Sequence, residues 1–403
     1  MKKVVIISPY LPWPMSSGGN VGVFNMLLGM SNRVEYTFVT VLNGMNSRDN
    51  LREICKRIPN VDFRLYDYRK GSNVKYEFTN KLIRRIDNTV FFSEGIKKDK
   101  LTTLQAITPG FLTYIDEIIK EKLADVVQIE FFDYLPIVYA LPNNVKKIFV
   151  HHELRYVVDE LRLPHNFMTR FYKNYMKTFE IESLNKFDRI ATLTSVDKIK
   201  LIDEGVKSEI VVSSLIIDTT QRVRIDNSFN GVLTFIGGDG HTPNYIGMEW
   251  FINNIFVELQ KKHSNLKLRI IGKWSKDNIN RFAKITTNIE FLGFVEDLGS
   301  VLKDSIMVVP LTVGSGMRMK ILEAASYSVP IVSTSIGAEG LGFVDKENIL
   351  IADSPKEMAC QIIRLIENPF LYQQLSEKAF EKYDTSYSVA SLLKVRQNLY
   401  EFE

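Results

Sequence analysis

The segment with the most distinctive chemistry is a glycine turn followed by two cations and a carboxylate. Residues 308–325 have the pattern of a buried strand, a turn containing Gly314 and Gly316, and the start of a helix. The glycines let the backbone approach a ligand, and the free N–H groups at a helix start attract phosphate. Arg318 and Lys320 add positive charge. The segment therefore suits a diphosphate without requiring a metal ion.

The carboxylate of this segment is Glu323, about two turns into the predicted helix, and the small residues 324–326 follow it. A carboxylate can accept hydrogen bonds from two neighbouring hydroxyls, as it does from ribose in dinucleotide folds. The spacing of Arg318, Lys320 and Glu323 also fits an exposed, charged helix face. Spacing alone does not separate a ligand site from a solvated surface.

A second group of polar residues follows predicted strands in the first half of the chain. His151 and His152 come after one strand, and Glu130 ends another. A histidine at such a position could orient a sugar hydroxyl or help bind a leaving phosphate. A solvated strand end is the alternative. A zinc site is disfavoured because no third and fourth ligands with suitable spacing occur.

Two further loops combine glycines with polar side chains. Gly18 and Gly19 precede an apolar helix and could approach phosphate or sugar oxygens at its start, although such a pair is also common in plain loops. In the second half, Gly237, His241 and Asn244 occupy the loop after a predicted strand. Ligand contacts and a purely structural loop are both compatible with these residues.

These residues must be positioned by strands and helices that alternate along the chain. Short β-branched apolar runs separate longer amphipathic stretches, which is typical of parallel sheets covered by helices on both faces. The predicted strands are 4–7, 36–41, 126–129, 147–150, 189–193, 232–236, 266–271, 289–291, 306–309 and 330–332. Ligands of open α/β sheets bind beyond the carboxyl ends of the strands, where all the candidate loops fall.

The length of 403 residues predicts two domains, because a single core rarely grows to that size. We predict a first Rossmann-like domain over residues 1–217 and a polar linker over 218–230. A second Rossmann-like domain is predicted over 231–385. The last predicted element is a helix over 386–403 that packs towards the first domain.

Composition excludes several classes of protein. Hydrophobic residues make up 45% of the chain and charged residues 24%, and the net charge of +4 is too small for a dedicated nucleic-acid binder. Cys55 and Cys360 fall in different predicted domains, which suits a reducing compartment. No stretch reaches the roughly 20 apolar residues that a membrane span needs. We therefore expect a cytoplasmic protein.

The run 314–325, continued by 330–334 and 337–341, closely resembles the donor-site signature of retaining GT-B glycosyltransferases of group 1. The resemblance implies an α/β fold of the GT-B type, with two Rossmann-like domains facing across a cleft. It also implies a nucleotide-diphosphate sugar as donor and neither a metal nor another cofactor. In that family the glutamate matching Glu323 binds the donor ribose, and the glycine turn faces the diphosphate.

The resemblance also assigns the remaining site residues. A family histidine near the donor sugar matches His151 slightly better than His152, and the loops around 272 and 294 shape the pocket for the base. The predicted catalytic residues are His151, His152 and Glu323. The predicted donor-binding residues are Gly18, Gly19, Gly237, His241, Asn244, Gly272, Lys273, Phe294, Val295, Gly314, Ser315, Gly316, Met317, Arg318, Lys320 and Glu323.

Two departures from the family pattern affect the donor site. Ser315 stands where many members have the first glutamate of a pair, the one that usually contacts the sugar. The loop at Gly237 lacks an arginine and a lysine that grip the diphosphate in many relatives, so Arg318 and Lys320 are expected to carry more of that role. Sugar identity therefore stays open.

The predicted function is transfer of a sugar, with retention, to a glycan or lipid-linked acceptor in cell-surface polysaccharide synthesis. The alternatives are a nucleotide-sugar epimerase of related fold and a non-catalytic GT-B-like binding protein. Loose peripheral contact with a membrane is a minority hypothesis, with a solvated face as the alternative. It rests on two basic and aromatic stretches: Lys81, Arg84 and Arg85 before Phe91 and Phe92, and Arg170, Lys173 and Lys177 opposite Phe167, Phe171 and Phe179.

Overall fold

The chain folds into two compact units in the computed structural model. The first unit comprises Met1–Thr219 and Leu392–Glu403, and the second comprises Thr220–Ser391. The residues that the structure describes are 1–15, 17–43, 46–68, 107–163, 166–217, 222–314 and 316–402. Ser315 and the basic stretch at 81–92 lie outside them. The division between the units falls within the polar segment 218–230.

The first unit is built on a parallel sheet that has seven strands among the described residues. Their order across the sheet is β3-β2-β1-β4-β5-β6-β7, with every pair parallel. The strands are β1 (Lys2–Ile7), β2 (Val34–Val41), β3 (Asp62–Tyr66), β4 (Val126–Glu130), β5 (Lys146–His151), β6 (Arg189–Thr192) and β7 (Glu209–Val212). Because β1, β4 and β5 are neighbours, the loops that follow them lie side by side.

Helices connect these strands, and most begin at a side chain that caps the first turn. The helices are α1 (Gly18–Met30), α2 (Arg48–Arg57), α3 (Pro109–Lys122), α4 (Arg155–Arg162), α5 (Phe167–Leu184) and α6 (Ser195–Asp203), with a 3-10 helix at Phe132–Ala140. Ser17 and Asn166 cap α1 and α5 by accepting a hydrogen bond from a backbone N–H three residues on. Polar residues in the sequence thus set where the helices start.

The second unit repeats the plan with six described strands in the order β10-β9-β8-β11-β12-β13. The strands are β8 (Val232–Ile236), β9 (Lys267–Ile271), β10 (Ile289–Gly293), β11 (Ser305–Val309), β12 (Ile331–Ser333) and β13 (Leu350–Ile351). The helices are α7 (Thr242–Phe251), α8 (Val257–Lys262), α9 (Lys276–Ala283), α10 (Leu298–Leu302), α11 (Met319–Ser326), α12 (Ser335–Ala338), α13 (Pro355–Glu367) and α14 (Pro369–Tyr387). The last helix, α15 (Val389–Leu399), begins in the second unit and continues into the first. A π-helical segment at Ile252–Phe256 joins α7 to α8.

All ten strands expected from apolar runs are present, and three more were not expected. The additional strands are β3, β7 and β13, and each lies at an edge of its sheet. An edge strand has one neighbour and one solvated side, so it does not need a continuous apolar run. β3 alternates polar and apolar residues, β7 has four residues and β13 has two. These patterns are too short or too polar to distinguish from a loop.

The C-terminal residues from Leu392 onward complete the first unit. The guanidinium of Arg189, at the start of β6, donates from Nη1 to the carbonyl oxygens of Asn398, Leu399 and Glu401 at 3.2, 2.9 and 2.7 Å. Leu393 packs so closely on α1 that a Cβ at Gly29 would lie 2.8 Å from its Cδ2. One buried cation therefore holds the end of the chain.

We expect Arg189→Met to free the C-terminal segment, because three carbonyl oxygens lose their donor. The first unit should lose on the order of 1–3 kcal/mol of stability in urea unfolding. Limited proteolysis should then cut within 392–402, with the sites identified by mass spectrometry. Arg48→Met is the matched control, since Arg48 is 60% exposed and its loss should cost under about 0.5 kcal/mol. An unchanged proteolytic pattern in the Arg189 variant would contradict this role.

Candidate functional site

The glycine turn of the second unit follows β11 and leads directly into α11. Gly314 and Gly316 have φ values of 133° and 78°, a region that favours glycine over residues with a Cβ. The guanidinium of Arg318 donates from Nη1 to the carbonyl of Gly316 at 2.7 Å, and this side chain is 6% exposed. A Cβ at Gly314 would lie 3.3 Å from Nη2 of Arg318. The turn is therefore shaped around a buried positive charge.

A hydrogen bond ties this turn to the loop after β8. Lys320 donates from Nζ to Oδ1 of Asn244 at 2.7 Å, and Nζ lies 4.2 Å from the ring centre of Phe235. The amide of Asn244 donates in turn to the carbonyl of Gly238 at 3.0 Å. A Cβ at Gly237 would lie 2.5 Å from Nδ2 of Asn244. Glycine is thus required for the loop to pass this side chain.

Burial shifts the two ionisable groups of α11 in opposite directions. Burial, together with the nearby charge of Arg318, lowers the pKa of Lys320 to about 7. Burial also raises the pKa of Glu323 to about 7, with the charge on Lys320 opposing that shift. Each group loses hydration that its charged form needs. An anion bound here would favour the protonated form of Lys320.

The loops after β8, β9 and β10 lie in backbone contact with one another. A Cβ at Gly272 would lie 2.8 Å from the carbonyl carbon of Gly237, and one at Gly238 would lie 2.6 Å from the carbonyl oxygen of Lys273. Gly272 also donates its N–H to the carbonyl of Gly293 at 2.7 Å. Because glycine has no side chain, the main chains of these loops can lie this close to one another.

Parallel pairing brings the second unit's candidates to one edge of its sheet. Phe294 is 75% exposed beside this edge, Val295 is half-buried, and His241 is exposed just before α7. A Cβ at Gly314 would lie 3.6 Å from Pro243, in the first turn of α7. The residues at this edge are Gly237, His241, Asn244, Gly272, Lys273, Phe294, Val295, Gly314, Gly316, Met317, Arg318, Lys320 and Glu323. Ser315 falls outside the described residues.

In the first unit, His152 lies at the glycine turn that precedes α1. Its Nε2 is 2.6 Å from Oε2 of Glu130, and its ring stacks on Phe131 with centres 3.9 Å apart. A Cβ at Gly19 would lie 2.8 Å from Cε1 of Phe131 and 3.6 Å from Nδ1 of His152. Gly18 begins α1 beside it. The absence of a Cβ at Gly19 lets the turn lie against both rings.

His151 lies against Glu180, whereas His152 lies against Glu130. The sequence analysis had slightly preferred His151 over His152 as the histidine near the ligand. Nε2 of His151 lies 2.8 Å from Oε1 of Glu180, and its side chain is 2% exposed. Glu180 also accepts hydrogen bonds from the N–H groups of Arg155 and Tyr156, at the start of α4. Successive strand residues point to opposite faces, so only one histidine can reach the turn. His151 serves the packing of α4 on α5.

Phe131 is a site residue that the sequence analysis missed. It has φ of 66° and stacks on His152, while the ring of Tyr10 meets it edge-on at 5.2 Å. The feature of the sequence that could have indicated this residue is an aromatic side chain directly after Glu130, at the end of a strand. Aromatic residues there are also common in cores, so the pattern alone did not distinguish the two roles.

The second basic and aromatic stretch lies on α5, where Phe167 and Phe171 are exposed but Phe179 packs against the core and Lys173 is buried. Phe167, Phe171 and Tyr175 are 73%, 65% and 60% exposed at intervals of four residues. Lys173 forms an ion pair with Glu160 at 3.2 Å. Lys177 also forms an ion pair, with Glu204 at 2.5 Å. Two of the three basic side chains of this stretch are therefore engaged within the protein.

Two kinds of feature are absent from the residues that the structure describes. No helix among them is both long and apolar enough to cross a membrane. Within the same ranges, no group of three or more His, Cys, Asp or Glu side chains could hold a metal ion.

One protein-family model matches most of the second unit. Residues 230–368 match the family model described as "Glycosyl transferases group 1". The resemblance read from the glycine turn and Glu323 is thereby confirmed for this part of the chain. The match includes every loop of the candidate site in the second unit.

Two curated proteins are similar to the chain. An uncharacterised glycosyltransferase of Methanocaldococcus jannaschii is 24% identical over 369 residues, covering 87% of this chain and 93% of that protein. An uncharacterised 44.6 kDa protein in the cps region of Klebsiella pneumoniae is 27% identical over 173 residues. That match covers 40% of this chain and 44% of the Klebsiella protein, less than half of either.

Solved structures share the whole fold. TarM of S. aureus, in a mutant form bound to Fondaparinux, alpha-GlcNAc-glycerol and UDP, is 14% identical with a TM-score of 0.69, covering 100% of both chains. Anabaena HepE in complex with UDP and glucose is 11% identical with a TM-score of 0.70, covering 99% of each. Sucrose-phosphate synthase of Thermosynechococcus elongatus is 13% identical with a TM-score of 0.72, covering 99% and 98%. The predicted GT-B fold class is confirmed.

We expect Glu323→Gln to change how stability depends on pH. In the folded protein the carboxyl of Glu323 stays protonated up to about pH 7, whereas in the unfolded chain it loses its proton near the ordinary pKa of 4.5. The stabilisation is therefore full below pH 4.5 and is lost as the pH rises to about 7. Relative to the variant, the wild type should lose on the order of 2 kcal/mol across this range.

The measurement is urea unfolding of both proteins at a series of pH values between 4.5 and 7. Glu258→Gln is the control, because that carboxylate is 59% exposed in the same unit. A difference between wild type and Glu323→Gln that does not vary with pH would count against the shifted pKa.

Proposed function

Since residues 230–368 carry the group 1 glycosyltransferase match, we propose that this protein transfers a sugar from a nucleoside-diphosphate donor to an acceptor hydroxyl. The observation that carries the proposal is the hydrogen bond between Lys320 and Asn244, which joins the glycine turn and the loop after β8. It sets Arg318 and Lys320 beside glycine turns whose backbone can approach a diphosphate.

The donor site that we propose assigns one part of the ligand to each group of residues. Arg318, Lys320 and the turn at Gly314 would bind the diphosphate, and Glu323 would accept hydrogen bonds from the ribose hydroxyls. The exposed ring of Phe294, with the main chain near Gly272, would contact the base. HepE and TarM, which share the fold, were solved with UDP, and this supports a nucleotide at the equivalent edge.

Chemistry at this site would need no metal ion to stabilise the leaving group. As the bond between the sugar carbon and the phosphate oxygen breaks, negative charge develops on the diphosphate. Arg318 and Lys320 would offset that charge, with the N–H groups at the start of α11. We propose transfer on the same face of the sugar, with retention. The acceptor oxygen bonds to the sugar carbon, and its proton passes to an oxygen of the departing phosphate.

The acceptor and the setting are further parts of the proposal. We propose a glycan or lipid-linked acceptor that binds the first unit, with the reaction in the cytoplasm. The Klebsiella relative is named for the cps region, which supports a role in polysaccharide synthesis. The exposed aromatic side chains Phe167, Phe171 and Tyr175 on α5 support peripheral contact with a lipid surface.

A second candidate function is donor binding without transfer. It is favoured by the loop 237–244, which contains neither arginine nor lysine. Turnover decides between the two functions, because both predict that a nucleotide binds.

The donor prediction is tested by thermal shift and hydrolysis with a panel of nucleoside-diphosphate sugars, with EDTA present throughout. One donor should raise Tm and be slowly hydrolysed. Glu323→Ala should weaken its binding at least about tenfold, because the ribose loses a charged acceptor. Glu258→Ala, at an exposed position, is the control.

The outcomes of this screen separate the candidates. If one donor causes a thermal shift but is neither hydrolysed nor used for transfer to any acceptor tried, the result supports binding without transfer. No response to any donor contradicts both functions, and a response that appears only after a divalent cation is added contradicts the metal-independent part.

We expect UDP binding to take up a proton at pH 8. Lys320 is mostly neutral there because burial lowers its pKa to about 7, and a bound diphosphate would raise that pKa again. Isothermal titration calorimetry in buffers of different ionisation enthalpy should detect an uptake approaching one proton. Lys320→Met should abolish the uptake and weaken binding roughly 10- to 100-fold. Equal proton uptake in the variant would refute the assignment to Lys320.

A further inference from the structure

A continuous chain of hydrogen bonds runs through the first unit to His152. The hydroxyl of Tyr36 donates to the hydroxyl of Tyr400 at 3.2 Å, and Tyr400 donates to Oε1 of Gln128 at 2.7 Å. Gln128 donates from Nε2 to Oε1 of Glu130. The other oxygen of Glu130 lies 2.6 Å from Nε2 of His152. The C-terminal segment is thus linked to the glycine turn through side chains.

Every donor along this chain points towards Glu130. Gln128 and Glu130 are 0% and 1% exposed. Burial raises the pKa of Tyr400 to about 12 and that of Tyr36 well above its usual range, so both phenols keep their protons. Because Tyr400 donates to the amide oxygen of Gln128, the amide nitrogen must face Glu130. Oε1 of Glu130 then accepts a hydrogen bond from this amide nitrogen, as a carboxylate oxygen does.

We infer that Glu130 is a positioning residue that accepts the Nε2–H of His152 and leaves the lone pair of Nδ1 free to accept a hydrogen bond at the glycine turn. The inference rests on the proposed function, in which the first unit binds an acceptor that offers a hydroxyl. A neutral imidazole donates through one nitrogen and accepts through the other, so the carboxylate selects the tautomer.

The other ring nitrogen indicates where the hydroxyl would bind. Nδ1 of His152 is buried and makes no hydrogen bond with any of the described residues. It lies 3.6 Å from where a Cβ would stand at Gly19, and the side chain as a whole is 9% exposed. Burying a nitrogen that has no partner costs desolvation energy, and a ligand hydroxyl that donates to it would recover that energy.

A second buried pair of the same types provides a comparison within the unit. His151 bonds to Glu180 at 2.8 Å, but Glu180 also accepts two backbone N–H groups of α4. No atom of His151 is among the buried polar atoms left without a partner in the described residues. We therefore assign a structural role to that pair and a positioning role to Glu130.

The tautomer is tested directly by nitrogen NMR of the full chain labelled with 15N-histidine. The His152 signals are assigned by their loss in His152→Asn. In the ligand-free wild type, Nε2 should carry the proton and Nδ1 should have the shift of an unprotonated nitrogen. Glu130→Gln should move the proton to Nδ1, because its amide can donate to Nε2. A wild-type Nδ1–H tautomer, or no change in Glu130→Gln, overturns the inference.

This experiment needs no substrate, so its failure is distinct from failure of the proposed transfer. Glu180→Gln is the matched control: it should lower Tm through the lost contacts at α4 but leave the His152 signals unchanged. The pH profile of donor hydrolysis should shift in Glu130→Gln and stay as in wild type in Glu180→Gln.

Two substitutions of His152 separate its two nitrogens. His152→Asn places an amide oxygen near the position of Nδ1, and His152→Gln places an amide near Nε2 and Glu130. We expect the Gln variant to lose about 100-fold in kcat/KM and the Asn variant to lose about tenfold or less, with both folded by thermal melting. Equal losses in the two variants, or no loss in the Gln variant, would overturn the inference.

Binding measurements identify which hydroxyl is recognised. If it belongs to the donor sugar, His152→Gln should weaken binding of the nucleoside-diphosphate sugar but not of the nucleoside diphosphate alone. If it belongs to the acceptor, donor binding should stay unchanged and the KM for acceptor should rise. Either result supports a hydroxyl partner for Nδ1, whereas unchanged values for all three ligands contradict it.

Discussion

Parallel pairing of every strand is the constraint on which both candidate sites depend. In a parallel sheet all strands end at the same edge, so loops that are distant in sequence become neighbours. In the second unit this places the turn at Gly314 beside the loop at Gly237, with Lys320 and Asn244 in direct contact. In the first unit it places Glu130, at the end of β4, beside the histidines that end β5. Glycines then let the backbones approach where a Cβ would clash.

The two sites use buried charge in different ways. In the second unit, burial lowers the pKa of Lys320, and the like charge of the nearby Arg318 lowers it as well. That arrangement is unfavourable without an anion, which is how a binding site can be selective for one. In the first unit, the carboxylate of Glu130 is satisfied by Gln128 and His152 within the protein. The first arrangement depends on a ligand for its charge balance, and the second orients a side chain.

Much of the fold and of the second site could be predicted from the sequence because the signals were local. Continuous apolar runs marked the buried strands, and the glycine turn with Glu323 lies within one short segment. The edge strands were missed because a solvated edge needs no such run. The choice between His151 and His152 depends on which face of β5 is covered by α5, and a strand end does not show that. The contact between Tyr36 and Tyr400 joins residues 364 positions apart, so no local pattern could reveal it.

The return of the C-terminal segment to the first unit has a consequence for biosynthesis. Domains usually fold in order as they leave the ribosome. Here Tyr36, Gln128 and Arg189 each form hydrogen bonds with residues 392–402, which are translated after the second unit. The first unit therefore cannot complete its packing until these residues have left the ribosome, and the second unit can be finished before it. Loss of residues 392–402 would thus damage the unit whose synthesis began first.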